Sequence, residues 1–391
     1  MTLHNPQTMK LKTNHSLFAL SVFASALLSA GSLNATIVAT DGSVPGTMAD
    51  ATGTSGNPAE YIIGTNPSIP ATVVHSSTTV VGNGVSYNQL TIQNESTLGT
   101  TGVVTIGSGA AATYNKAVVT GSGSIWNMNG NRLYVGSGSD NSLLITNGGK
   151  VNLLNSGAQV QIGSLASSRR NSLTLSNGSS LSFTVNQPFA VGYAGSDNSF
   201  VVENGASYTQ TSGQFLIGGT NLSGTSTGND LIVRGANTRV SIGTTGANSI
   251  RIGLIDADTS NTGNYALVQS GALLQIVTPS LLAIADGNFL RLAGGYIALN
   301  GNQVSLLTGL ITAGKVQVPG VDGWTTDLDP SLYTINYYTT AQAGLAETFS
   351  GYSGLGGYTI MYAIPEPGLA GLLVFGSGMI AFLRRRKNLW V

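Results

Sequence analysis

Runs of four to six residues that alternate apolar and polar positions recur through the middle of this chain, each closed by Gly or by Asn-Gly. One phrase is a short apolar strand ending in Gly: Val104-Thr105-Ile106-Gly107, Leu133-Tyr134-Val135-Gly136, Val160-Gln161-Ile162-Gly163, Phe189-Ala190-Val191-Gly192, Phe215-Leu216-Ile217-Gly218 and Ile250-Arg251-Ile252-Gly253. The intervals between those glycines are 29, 27, 29, 26 and 35 residues. A second phrase ends in Asn-Gly or a substitute, as in Leu144-Ile145-Thr146-Asn147-Gly148 and Val202-Glu203-Asn204-Gly205, and a third alternating strand follows it, as in Lys150-Val151-Asn152-Leu153. Alternation with period two sends successive side chains to opposite faces, and no stretch of the middle has the 3.6-residue period of an amphipathic helix. The pattern therefore predicts an all-β protein.

Three such strands and three corners fill one coil of a parallel β-helix, so the reading preferred is a β-solenoid of ~28-residue repeats, with six or seven coils stacked at about 4.8 Å. Asn-Gly at a corner supplies left-handed backbone, and asparagines stacked coil on coil predict a hydrogen-bonded ladder there. Asn-Gly is also the strongest hairpin signal, so a sandwich of antiparallel hairpins stays open. The predicted organisation is a signal peptide over 1–35, an N-terminal β cap over 36–102, solenoid repeats over 103–307, a C-terminal β cap over 308–362 and a tail over 363–391. The 35-residue interval predicts an insertion near 221–229 or 243–248.

The two ends carry addresses. Lys10 and Lys12, an apolar run from Leu17 to Leu28 and small residues from Ser29 to Gly31 read as a secretory signal, too short to span a bilayer. Cleavage is expected between Ala30 and Ala35, and Met9 is a candidate start. At the other end, Pro365-Glu366-Pro367 precedes sixteen uncharged residues, Gly368 to Leu383, and then Arg384-Arg385-Arg386-Lys387. Sixteen helical residues cover about 24 Å, a marginal transmembrane helix, and the basic cluster should stay on the cytoplasmic side. This tail resembles the PEP-CTERM sorting signal of exported proteins of Gram-negative bacteria, over Ile364 to Trp390, with Pro365, Glu366 and Pro367 matching the motif and Arg384, Arg385 and Arg386 the basic stop. The resemblance implies passage through the Sec translocon, a transient stay in the inner membrane, and removal of the tail by an exosortase-type sorting protease on the way to the cell surface or extracellular matrix. The repeats, with the step Val119-Thr120-Gly121-Ser122-Gly123-Ser124-Ile125-Trp126, look similar to those shared by autotransporter passenger domains and PEP-CTERM proteins, which implies a surface-exposed β-helix without specifying a ligand.

Composition narrows the chemistry. The 391 residues include 53 Gly and no Cys, and only 8% are charged, which removes disulfides, thiol nucleophiles and Cys-based metal sites. Residues 36–364 hold 10 basic and 15 acidic side chains, a net charge of −5, which argues against nucleic acid as a partner. Of three His, only His75 lies beyond the signal, so zinc sites built from His are excluded by count and His75 reads as a surface strand residue. Asp256 with Asp258, and Asp327 with Asp329, are the sharpest carboxylate pairs, and both read as solvated turns. Asp140 and Asp197 occupy near-identical phrases, Gly-Ser-Asp-Asn-Ser, which marks a corner role, and Arg169-Arg170 replaces that corner one repeat away. The Tyr-rich stretches at 333–338 and 352–362 read as packing in a cap, with a sugar-stacking platform as the other use.

No catalytic site, cofactor or metal is expected. The reading that follows is a non-enzymatic structural or adhesion protein of the cell surface or biofilm matrix, with extracellular polysaccharide as a candidate partner. The alternative is a β-helix polysaccharide lyase or glycoside hydrolase, which requires groups such as Asp256, Asp258 and Arg251 to converge in one groove.

Overall fold

The computed structural model describes residues 53–363, except 57, 131, 220–225, 244–249, 254–260, 280–281 and 321–322, together with the short strands Ile37–Val38 and Thr47–Met48. The signal, Asp256 and Asp258, and the tail with Pro365, Glu366, Pro367, Arg384, Arg385 and Arg386 lie outside the described residues.

The chain winds into a parallel β-solenoid of about nine coils with three sheets, of 12, 11 and 9 strands. Each coil gives one strand to each sheet in turn. In the coil from 142 to 162, Ser142–Thr146 joins the first sheet, Lys150–Leu153 the second and Gln159–Ile162 the third. Each pairs in parallel with its equivalents in the coils before and after, so Ser142 stands between Lys116 and Ser172. The antiparallel sandwich is thereby excluded. Asn147 (φ 52°) and Gly148 (φ 79°) adopt the left-handed pair that a hairpin would use, but the Gly148 N–H donates to Asn177 O of the next coil at 3.0 Å. Its partner is a neighbouring coil, so the chain turns onto a new sheet rather than back along the old one.

The stack is longer than the sequence periodicity indicated. Ala59–Ile63 already pairs in parallel with Asn88–Ile92, and Thr72–His75 with Thr97–Thr100, so the described residues between 59 and 102 form solenoid coils rather than a separate cap. These coils were hidden because Asn94 (φ 55°) and Glu95 (φ 61°) take the corner that Asn-Gly occupies later. The long interval leaves the register intact: Phe215 pairs with Ile250, 35 residues on, and the extra residues coincide with segments outside the described residues.

Inward positions fill a continuous core. Phe189 packs against Phe200, Tyr208 and Phe215 with ring centroids 4.9, 5.1 and 5.4 Å away, all four fully buried. Trp126 is also fully buried and donates its Nε1–H to Thr100 Oγ1 at 3.2 Å, which satisfies the indole inside an apolar interior.

The C-terminal end is sealed by a change of direction. Helix α1 (Val304–Thr312) buries Leu307 in the core, with Leu306, Leu310 and Ile311 packed beside it. Tyr358–Ala363 then runs antiparallel along Tyr296–Asn300, and Tyr333–Tyr338 runs antiparallel along that strand. Helix α2 (Ala343–Ser350) covers the outer side, where Tyr296, Tyr338, Phe349, Tyr352 and Tyr358 pack on Leu273, Ala298, Ala346, Leu355 and Ile360. The Tyr352 hydroxyl lies 2.9 Å from Thr238 O and 2.8 Å from Gly271 O, tying this layer to two coils. Packing is thus the work of these tyrosines.

Candidate functional site

The corner between the third and first sheets holds the predicted asparagine ladder, one corner away from its expected place. Asn88, Asn115, Asn141, Asn171, Asn198, Asn229, Asn264 and Asn288 are all buried and stacked coil on coil. Each Oδ1, from Asn115 onward, accepts both the backbone N–H and the side-chain Nδ2–H of the asparagine in the coil before, at 2.9–3.1 Å. The remaining Nδ2 hydrogen finds a loop carbonyl, as from Asn171 to Gly138 O at 2.9 Å. The ladder also explains the recurring glycines: a Cβ on Gly136 would stand 1.9 Å from Asn171 Oδ1, and Gly107, Gly163, Gly192 and Gly218 meet their asparagines in the same way.

The residues just before the ladder form a surface column in left-handed backbone, with Tyr114, Arg170 and Asp197 exposed and Tyr87 and Asp140 partly buried. Tyr87 and Tyr114 stack at 5.1 Å with 4° between ring planes. Arg170 donates Nε and a terminal nitrogen to the two oxygens of Asp140 at 2.8 and 2.7 Å, and Arg169 reaches Asp197 at 3.3 Å. The repeated Asp residues are therefore corner groups bound to the Arg pair of the intervening coil, in surface ion pairs that solvent screening keeps weak.

The other candidates do not converge. His75 ends a strand with Nε2 3.3 Å from Thr78 O. Asp329 caps the short 3-10 turn Pro330–Leu332 by accepting from Ser331 N at 2.8 Å, and that bond holds its carboxyl below the ordinary value. Asp327 sits beside it with its N–H on Thr325 Oγ1. Arg251 lies on the outer side of the third sheet between Leu216 and Ala283. Its proposed companions Asp256 and Asp258 are outside the described residues. Among the described residues no three His, Cys, Asp or Glu side chains come together, and no helix is long and apolar enough to cross a membrane.

One carboxyl raised by burial is a group that the motif search passed over. Asp230 stands on the outer face of the first sheet in the row Ser142, Ser172, Ser199, Asp230, Tyr265 and Phe289. Its carboxylate accepts from the Ser199 hydroxyl and, at 3.1 Å, from the Tyr265 hydroxyl. Next to it, Arg291 lies 4.1 Å from the Tyr265 ring centroid and 5.2 Å from that of Trp324, and its Nε–H donates to Gln317 Oε1 at 2.8 Å. Burial pushes the Asp230 carboxyl above its ordinary 3.8, outweighing the Ser199 and Tyr265 bonds and the Arg291 charge. Burial also raises the Tyr265 hydroxyl to about 12. Aligning the repeats by their inward residues, rather than searching for motifs, exposes this row in the sequence.

The sign of the titration follows from linkage. Between pH 3.8 and the raised folded value, the native protein holds a proton that the unfolded chain has lost, so stability falls as pH rises through that window. Asp230→Asn removes the titration. In dilute protein the melting temperature of the variant relative to wild type should be highest near neutrality and should decline on acidification. A pH-independent difference between the two melting curves would count against the burial cause.

No protein-family model, curated protein or solved structure matches the chain.

Proposed function

We propose that this is an exported, non-enzymatic structural or adhesion protein of the cell surface or extracellular matrix, sorted through Pro365-Glu366-Pro367, the following apolar segment and Arg384-Arg385-Arg386. The observation that carries the reading is the disposition of polar chemistry on the solenoid. Its buried corner asparagines are spent on the inter-coil ladder and Asp140, Asp197, Arg169 and Arg170 on corner ion pairs, and among the described residues no three His, Cys, Asp or Glu side chains come together. A long polar rod of stacked coils suits display and contact over a large area.

The test is intact mass and fractionation of the protein from its native host beside a variant with Pro365, Glu366 and Pro367 all changed to Ala. The wild type should be shorter at both ends and found outside the inner membrane, with the variant retaining its tail there. If both keep Arg384 to Val391 and fractionate alike, surface sorting by this tail is wrong.

One observation favours the second reading, a polysaccharide lyase or hydrolase: Asp230, a half-buried carboxyl beside the Tyr265 hydroxyl and Arg291. Hydrolysis by paired carboxylates needs a partner about 5–10 Å away. Asp197, whose charge reaches Asp230, is held by Arg169. Release of reducing ends from matrix polysaccharide by wild type but not by Asp230→Asn would revive that reading.

A further inference from the structure

The outer faces of the first and second sheets differ in a way that the repeat alone does not require. On the second sheet the middle outward row is small and polar, running Gly99, Asn127, Asn152, Ser182, Thr209 and Ser241. On the first sheet the equivalent row is apolar except at its centre, running Val118, Leu144, Thr174, Val201 and Ile232, in register from coil to coil. Beside it runs the row Lys116, Ser142, Ser172, Ser199 and Asp230, whose three central serines keep the surface low. Lys116 and Asp230 stand two coils to either side of Ser172. Neither belongs to any of the four ion pairs among the described residues. A half-buried carboxylate and a lysine, both without an ion-pair partner and equidistant from one serine, make a face that is complementary to itself when turned end for end.

We propose that the outer face of the first sheet pairs with the same face of a second copy, antiparallel, about a two-fold axis through Ser172 and Thr174. The rotation reverses the order of coils and leaves the rows opposite themselves. Lys116 of each copy then meets Asp230 of the other, Leu144 meets Val201, and Val118 meets Ile232. Two sheets packed face to face about 10 Å apart bury such apolar rows between them, and a two-fold interface must be self-complementary in this sense. Five coils at about 4.8 Å and strands of five residues give a face of about 24 by 16 Å, on the order of 800 Å² for two copies. That is the size of a weak, transient interface, suited to reversible contact that gains strength when many copies are displayed together. The inference rests on the adhesive reading for its setting and specifies the partner as another copy of the chain.

Full-length protein in detergent, followed by sedimentation velocity over a concentration series, separates this from the sorting question, because no host is involved. Wild type should dimerise reversibly. Lys116→Glu and Asp230→Lys should each weaken self-association by about 100-fold, since each places like charges in contact twice per dimer. An equimolar mixture of the two variants should recover the dimer, because each then offers the charge that the other lacks. That recovery cannot come from misfolded protein. Lys150→Glu, on the second sheet, should leave association unchanged. As the chain has no cysteine, Ser172→Cys should crosslink copy to copy through a short thiol linker and Glu60→Cys should not. A wild type that stays monomeric, single variants that associate like wild type, or a mixture that does not recover would each overturn the proposal.

Discussion

Asn171→Ala, in the middle of the ladder, should cost about 3 kcal/mol of local stability. Asn171 Oδ1 accepts from the backbone N–H and the Nδ2 of Asn141 at 2.9 and 3.1 Å, and its own Nδ2 donates to Asn198 Oδ1 and Gly138 O. Truncation leaves the Asn141 N–H buried without an acceptor, which carries the desolvation penalty of an unsatisfied donor. Asn171→Asp keeps that acceptor but sets a buried charge against two acceptors, so it should lose more near pH 7, about 4–5 kcal/mol, and recover part of it on acidification as the new carboxyl takes up a proton. Asn147→Ala, at the exposed Asn-Gly corner, should cost about 1 kcal/mol, mainly for left-handed backbone. A solenoid does not unfold as one unit, so melting should be read together with hydrogen exchange in the peptides around Asn141 and Asn198. Equal losses at Asn171 and Asn147 would mean that the ladder is decorative.

That contrast shows where the sequence was legible. Period-two alternation and Gly-terminated phrases identified the three strands of each coil, because inward positions such as Leu143 and Ile145 must be apolar whatever the coil. They did not decide between hairpin and coil, because Asn147-Gly148 has the same left-handed geometry in both and only the partner of the Gly148 N–H differs. The ladder was foreseen in kind but placed at that corner, since Asn-Gly is conspicuous and Asp140-Asn141 is not. What fixes the true corner is a relation between coils, a glycine one coil back making room for an amide, and no short window of sequence contains it. Asp230 was missed for the same reason. It is ordinary in its own strand and becomes unusual only beside Ser199, Tyr265 and Arg291 of neighbouring coils.

The glycine half of that relation carries the other large effect. Gly136 has φ 82°, and a Cβ there would lie 1.9 Å from Asn171 Oδ1 and 2.0 Å from its Cγ. Gly136→Ala must therefore strain the backbone, at about 1–2 kcal/mol, and also displace the amide on which Asn141 depends, for a total of about 4–5 kcal/mol. Gly178, with φ 71° and nothing within 4 Å of the added carbon, supplies the control, and Gly178→Ala should show the backbone cost alone. The two halves must also be coupled. In an Asn171→Ala background no amide remains to displace, so adding Gly136→Ala should cost only the backbone share, leaving about 3 kcal/mol of non-additivity in the double-mutant cycle. Additive losses would place the glycine's role in the bend alone. Coupling near the full ladder energy would mean that the recurring Gly and the buried Asn, 35 residues apart in sequence here, form one structural device repeated up the rod.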